Sequence, residues 1–181
     1  LMRNGSIDLL QLEEMLNERT QLICVMHVCN ETGVIMPIKE VCALRDRLSP
    51  KAAIHVDGVQ GYLRVPFSFQ QYKIQSYALS AHKIHGPKGV GAIYIRTGIR
   101  PDTFVTGGGQ EKNRRSGTEN VSGIVGLGEA ARLKRVEMEE ESTRVRALSN
   151  RLIEGVLKIP QSILTGHTTN RLPGNCSFAI A

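Results

Sequence analysis

The segment AAIHVDG, from Ala52 to Gly58, gives the clearest indication of the fold. This short, mostly apolar run ends in an acidic residue and a glycine, which is typical of a buried strand that leads into a turn. A second run of this kind, QLICVMHV, lies upstream at Gln21–Val28, and an amphipathic pattern over Ile38–Leu48 predicts a helix between the two. Strands that alternate with helices predict an α/β layer with a mainly parallel sheet.

The alternation continues on both sides of this unit. SYALSAHK at Ser76–Lys83 predicts a third strand, and GVGAIYIR at Gly89–Arg96 predicts a neighbouring fourth. Upstream, an apolar stripe predicts a helix over Ser6–Arg19 with Ser6 as its N-cap. Downstream, Glu119–Leu157 predicts a long helix and then a second one, with a break near Glu141–Thr143.

The bulk composition indicates a soluble globular protein. The chain has 181 residues, of which 41% are hydrophobic and 22% charged. No apolar run approaches the roughly 20 residues that span a bilayer, and the first residues lack the apolar region of a signal peptide. We therefore expect a cytoplasmic protein with reduced cysteines and no membrane partner. Because residue 1 is Leu1 and the final CSFAIA resembles a strand cut short, we expect the chain to be an interior piece of a longer protein.

The net charge of +6 raises the alternative of a basic module that binds nucleic acid. However, aromatic residues make up only 4% of the chain, and the basic residues are scattered along it. We expect no nucleic-acid partner, and an anionic small ligand suits the same charge. Salt-dependent binding to nucleic acid would favour the alternative.

Polar side chains fall where the predicted strands end. Asn30 follows the first strand, Asp57 ends the second, and Ser80, His82 and Lys83 end the third. Because ligands of open α/β sheets bind beyond the carboxyl ends of the strands, these residues predict one site.

The residue types in this site suit a pyridoxal phosphate enzyme. Such an enzyme needs a lysine for the Schiff base, a carboxylate for the pyridine nitrogen, and hydroxyl, imidazole or N–H donors for the phosphate. Lys83 and Asp57 could fill the first two roles, and Ser80 with His82 the third, while Gln60 could reach the ring hydroxyl. Taken singly, Lys83 is better interpreted as a surface lysine and Asp57 as part of an Asp-Gly turn, so the prediction depends on the combination.

Four blocks of sequence carry a resemblance to a known family. MHVCNETGVIMPI, HVDGVQ, SAHKIHGPKGVGAIYIR and GGGQEKNRRSGTENV resemble the signature blocks of the class V aminotransferase superfamily, in the order and spacing of that family. More narrowly, they resemble the cysteine desulfurases of the branch that supplies sulfur for iron–sulfur clusters and nitrogen fixation. The resemblance implies the three-layer α/β/α large domain of the PLP-dependent transferases over residues 1–122. Residues 123–181 would hold the long connecting helix and the beginning of a small α+β C-terminal domain.

The resemblance also implies a role for each residue of the site. Lys83 would form the Schiff base with pyridoxal 5'-phosphate and move the substrate Cα proton. Asp57 would pair with the pyridine nitrogen, and Asn30 and Gln60 would contact the ring oxygen.

The remaining implied contacts concern the cofactor phosphate. Ser80 and His82 would bind it, and Thr118 would reach the phosphate in the partner subunit of a homodimer. The full-length enzyme would convert L-cysteine to L-alanine and pass the sulfur, as a persulfide, to an acceptor or scaffold protein.

Some working parts of the implied enzyme are expected outside this sequence. None of the four cysteines matches the sulfur-accepting loop cysteine, and Cys176 lies on what resembles a structural strand. The arginine for the substrate carboxylate is also expected beyond residue 181, so the chain by itself is expected to be inactive. A selenocysteine lyase, another class V aminotransferase, or an inactive domain that only binds a partner remain the alternatives.

The histidines and a charged stretch do not indicate a further site. His27 and His55 could face each other on adjacent strands, but no HxxxH or CxxC spacing supports a metal site, and none is expected. His85 and His167 are interpreted as structural or surface residues, and Glu111–Arg115 as a solvated loop.

Overall fold

The computed structural model describes residues 1–181. The helices are α1 (Leu9–Met15), α2 (Ile38–Leu48), α3 (Phe69–Tyr72), α4 (Gln110–Asn113) and α5 (Val121–Val156). The strands are β1 (Leu22–Met26), β2 (Ala53–Asp57), β3 (Ser76–Ser80), β4 (Gly91–Ile95), β5 (Ser162–Leu164) and β6 (Phe178–Ile180). A single 3₁₀ turn, Ala81–Ile84, follows β3 directly.

The larger sheet has four strands in the order β1-β2-β3-β4. The first three strands are parallel, and β4 runs antiparallel to β3. Parallel neighbours need a crossover, which α2 and α3 provide, whereas β4 returns after a short glycine-rich turn and so runs the opposite way. The predicted α/β fold with a mainly parallel sheet is confirmed.

The core lies where α2 packs against the sheet. Alternation along β2 places Ile54 and Val56 in the core, both fully buried, and leaves His55 and Asp57 half-buried. The other buried members of this cluster are Val34, Met36, Ile38, Val41, Cys42, Ile74 and Tyr77. Burying one such side chain stabilises the fold by roughly 1.5–3 kcal/mol, so this cluster holds the strand ends in place.

The first helix and the first strand differ from the prediction. Helix α1 begins after Asp8, whose side chain accepts a hydrogen bond from Gln11 N, so Asp8 and not Ser6 is the N-cap. Strand β1 was predicted to be buried, but it is one of the two edge strands of this sheet, and Leu22 is 57% exposed. An edge position depends on which strands pair with β1, and its own apolar residues do not reveal it.

The predicted break in the long helix is wrong, because α5 runs through 36 residues without interruption. Its middle has no glycine or proline between Glu129 and Glu154. The Thr143 hydroxyl donates to the Glu139 carbonyl within the helix, and the Lys134 ammonium pairs with the Glu141 carboxylate across two turns. These contacts stabilise the segment in which a break was expected.

The end of the chain forms a second, smaller sheet in which β5 and β6 pair antiparallel. The segment just before β6 also packs on the loop after β1, where Leu172 N donates to the Gly33 carbonyl at 2.8 Å. Arg171 forms an isolated bridge with Val34 in the same place. None of the helices is both long enough and apolar enough to span a membrane.

Candidate functional site

The carboxyl ends of β1, β2 and β3 lie at one edge of the sheet. The strand register places Met26 beside Asp57, and Asp57 beside Ala78. The predicted site residues that follow these strand ends within a few positions are Asn30, Gln60, Ser80, His82 and Lys83. The fold therefore brings six of the seven predicted residues to the same edge.

Asp57 is fixed by contacts on its backbone and on one carboxylate oxygen. Its carbonyl accepts from His27 N at 2.8 Å, and its Oδ1 accepts from Val59 N at 3.0 Å. The second contact closes an Asp-Gly turn, which was the alternative interpretation of Asp57 in the sequence analysis. It engages Oδ1 and leaves Oδ2 for a protonated ligand nitrogen, so the turn and a binding role are compatible.

A buried neutral pair of side chains supports this strand end. His27 Nδ1 lies 2.9 Å from the Tyr77 hydroxyl, which is 3.4 Å from the Gly58 carbonyl. Burial lowers the pKa of His27 to about 4, so its imidazole is neutral at physiological pH, and burial raises the pKa of Tyr77. A Cβ at Gly58 would lie 1.8 Å from the Tyr77 ring, so glycine is required here.

His27 and His55 do not face each other. His55 Nδ1 bonds the Ser76 hydroxyl on β3 at 2.8 Å, whereas His27 packs 4.9 Å from the Phe67 ring. On β2, His55 pairs with Cys24 of β1, whereas His27 lies beyond the end of β1. The two histidines therefore occupy different levels of the sheet. No group of three or more His, Cys, Asp or Glu side chains is arranged to hold a metal ion.

Ser80, His82 and Lys83 project from the end of β3 and the turn that follows it. Ser80 ends the strand, and its Oγ lies 2.8 Å from His82 Nδ1. Lys83 was predicted at a strand end, but it lies in the 3₁₀ turn, half-buried, while His82 is exposed. His85 closes the turn in the left-handed conformation with φ +67°. A hydroxyl and an imidazole held side by side can bind one anion together.

Gln60 has a neighbour that the sequence analysis did not single out. Its Oε1 accepts from Arg64 Nη1 at 2.8 Å, which leaves the Nε2 amide as a donor. Burial lowers the pKa of Arg64. The two residues are four apart in a turn that is not helical, because Leu63 has a φ of +52°, so no helical spacing in the sequence pointed to this pair.

The loop that carries Asn30 is held by the end of the chain. Asn175 Nδ2 donates to the Asn30 carbonyl at 3.1 Å, and Arg171 Nη2 donates to the Thr32 carbonyl at 2.9 Å. Arg171 is only 5% exposed and also donates to the carbonyls of Thr165, His167 and Asn175. These partners are more than 130 residues from the loop, so no local pattern could predict them.

Thr118 lies apart from the other predicted residues, in an exposed segment between α4 and α5. The nearby Ser116 is buried, and its hydroxyl donates to the Gly108 carbonyl at 2.7 Å. The exposed stretch that was predicted as a solvated loop contains α4, but Glu111, Lys112 and Asn113 have positive φ, so this short segment is a left-handed turn and not a regular helix.

Comparison with known proteins supports the resemblance drawn from the sequence. The profile of the family "Aminotransferase class-V" matches residues 1–181. The chain is 43% identical to the cysteine desulfurase of Gluconacetobacter diazotrophicus over 97% of this chain and 44% of that protein. It is also 43% identical to cysteine desulfurase IscS 1 of Archaeoglobus fulgidus, over 94% of this chain and 44% of that protein.

Solved structures give the same result. A NifS-like protein superposes with a TM-score of 0.94 at 34% identity, over 98% of this chain and 48% of the other. DndA from Streptomyces lividans superposes with a TM-score of 0.84 at 33% identity, over 94% and 49%. The chain thus spans less than half the length of these proteins. It belongs to the class-V aminotransferase family, whose members depend on pyridoxal 5'-phosphate.

Proposed function

We propose that the natural protein is a cysteine desulfurase that depends on pyridoxal 5'-phosphate. The observation that carries the proposal is the meeting of Asp57, Ser80, His82 and Lys83 at one carboxyl edge of the sheet. The relatives named as cysteine desulfurases favour this activity over a selenocysteine lyase or another aminotransferase.

The chemistry of these residues fits the cofactor. Asp57 offers one free carboxylate oxygen for a pyridinium nitrogen, and the Ser80–His82 pair offers two polar groups for a phosphate. Gln60 offers an amide N–H for a ring oxygen, because its carbonyl oxygen is already bonded to Arg64. Lys83 supplies the primary amine.

Each residue has a task that its position supports. Lys83 would hold the cofactor through its primary amine and would move the proton at Cα of the substrate. Asp57 keeps the ring nitrogen protonated, and the neutral His27 behind it supports the strand end without adding a competing charge. Asn30 contacts the ring oxygen together with Gln60. When bound, pyridoxal phosphate supplies an electron sink that makes the Cα proton removable.

The overall reaction is a balanced sulfur transfer. The C–S bond of L-cysteine breaks, its sulfur bonds to an enzyme thiolate, and the carbon keeps the electron pair of the broken bond and takes up one proton. One L-cysteine and one thiol thereby give L-alanine and one persulfide, with no external oxidant. The persulfide then passes to an acceptor or scaffold protein for iron–sulfur cluster assembly.

The proposal includes an assembly and a division of the chain. We place residues 1–122 in the cofactor-binding large domain and residues 123–181 in the connecting helix and the beginning of a small domain. Thr118 faces outward before α5, which supports a contact with the cofactor phosphate of the partner subunit in a homodimer. The four free cysteines support a reducing compartment, and we place the protein in the cytoplasm.

Covalent trapping on the full-length protein tests the proposal. Adding pyridoxal phosphate should produce a visible absorbance band, and borohydride reduction followed by peptide mapping should place the label on Lys83. Lys83→Ala should abolish the label and lower the rate of alanine formation by about 10²–10⁴-fold, as loss of an acid–base group does. Lys88→Ala, at an exposed lysine of the following turn, is the matched control and should retain both. Label spread over many lysines would refute the assignment.

A further inference from the structure

We infer that Arg64 is a positioning residue that holds the Gln60 amide with its N–H₂ group toward the cofactor ring oxygen. The inference rests on the proposed function, because Gln60 is assigned to the ring oxygen there. The geometry that carries it is the 2.8 Å bond from Arg64 Nη1 to Gln60 Oε1.

The bond determines which end of the amide is available. A guanidinium has donors only, so it can bond the amide oxygen but not the amide nitrogen. With the oxygen held by Arg64, the Gln60 side chain presents Nε2 as a donor. A donor stabilises the ionised form of a phenolic ring oxygen, whereas a flipped amide would present an oxygen and repel that form.

The backbone between the two residues is fixed, so the side chains meet reliably. Tyr62 N donates to the Gly58 carbonyl at 2.8 Å, and Arg64 N and Val65 N both donate to the Gly61 carbonyl at 3.0 Å. Gly61 is itself required, because a Cβ there would lie 2.1 Å from His27 Nδ1. The turn after β2 is therefore locked by the same histidine that supports Asp57.

The groups around Arg64 offer its guanidinium no better acceptor than the Gln60 side chain. Arg64 lines a cavity of about 90 Å³ with Lys134, Glu141 and Leu172. Lys134 is only 8% exposed and its ammonium is paired with the Glu141 carboxylate, so this acidic group is already engaged. Desolvation by burial lowers the pKa of Lys134, and the charge of the nearby Arg64 lowers it further, so Arg64 has no attractive partner in this ammonium. The Gln60 carbonyl is the neutral acceptor that remains for the guanidinium.

A double-mutant cycle on the full-length protein tests the inference. The dissociation constant for pyridoxal phosphate is measured for the wild type, Arg64→Met, Gln60→Ala and the double variant. We expect each single variant to weaken binding by about fivefold, the effect of one net hydrogen bond. Because Arg64 acts through Gln60, the double variant should bind no more weakly than Gln60→Ala alone. Multiplication of the two single effects would overturn the inference.

A second readout separates positioning from general loss of structure. The visible absorbance of the bound cofactor is titrated with pH, and Arg64→Met should raise the apparent pKa of the ring oxygen. Arg64→Lys keeps one donor and should restore most of the wild-type titration. Arg96→Met is the control, because Arg96 donates to the Lys73 carbonyl at 3.0 Å, outside the site.

The outcomes distinguish this inference from the proposed function. If the wild type binds no pyridoxal phosphate at Lys83, the proposed function fails and the inference fails with it. If the wild type binds but Arg64→Met and Arg64→Lys both titrate like the wild type, only the inference fails. If Arg64→Met does not fold, the dissociation constant for pyridoxal phosphate is compared between Arg64→Lys and the double variant Arg64→Lys with Gln60→Ala, and this comparison tests the inference instead.

Discussion

The buried imidazole of His27 should make the stability of the full-length protein depend on pH. His27 is 3% exposed, and desolvation by burial lowers its pKa from 6.5 to about 4. Between these two values, the unfolded chain binds a proton at this histidine that the folded chain does not. Lowering the pH through this window therefore favours unfolding, and the loss levels off below about pH 4.

The size of the effect follows from the two pKa values. At about 1.4 kcal/mol per pH unit, the interval from 6.5 to about 4 corresponds to roughly 3 kcal/mol of unfolding free energy. Most of this loss, about 2–3 kcal/mol, should be present at pH 4.5. That is a large part of the stability of an ordinary domain, so the effect is measurable.

The assay compares urea denaturation of the wild type and His27→Gln at pH 7.5 and at pH 4.5. Glutamine keeps polar atoms near the Tyr77 hydroxyl but does not titrate, and all other groups are common to both proteins. The wild type should lose about 2–3 kcal/mol more than the variant over this interval. Equal losses in the two proteins would show that His27 titrates normally in the fold and would refute the reasoning.

Two substitutions test the packing around the site. Gly58→Ala places a methyl group 1.8 Å from the Tyr77 ring and should lower the free energy of unfolding by about 3 kcal/mol or more. Gly128→Ala, which has open space around it in the helix, should instead raise this free energy by up to about 1 kcal/mol. Urea denaturation measures both, and similar results for the two would contradict the close approach. Arg171→Met removes donors to four backbone carbonyls and should lower the free energy of unfolding by about 3 kcal/mol or more. It should also weaken cofactor binding, because the loop that carries Asn30 loses its support. The exposed Arg144→Met is its control, and an equal effect of both would show that the loop does not depend on Arg171.

Local patterns were sufficient for several elements. Helix α2 begins and ends where its amphipathic period indicated, at Ile38 and Leu48, because the period and Pro37 are both local. The strand at Ala53–Asp57 was found from its apolar run and its acidic end. The convergence of Asn30, Asp57 and Ser80 also followed from sequence alone, since the carboxyl ends of parallel strands must meet at one edge.

Other features depended on partners that are distant in the sequence. The continuity of α5 past Glu141 depends partly on the ion pair with Lys134, and the exposure of β1 depends on its position at the sheet edge. The neutral state of His27 follows from burial beside Tyr77, which is 50 residues away.

Sequence patterns alone were enough to predict the family, the parallel sheet and the residue types of the site. Tertiary contacts were needed to establish that Asp57 keeps one oxygen free, that Arg64 donates to the Gln60 amide oxygen, and that Arg171 holds the Asn30 loop. The physical reason is that periodicity and spacing report backbone geometry over a few residues. Hydrogen-bond partners, burial and pKa values are instead set by side chains that meet only after the chain has folded.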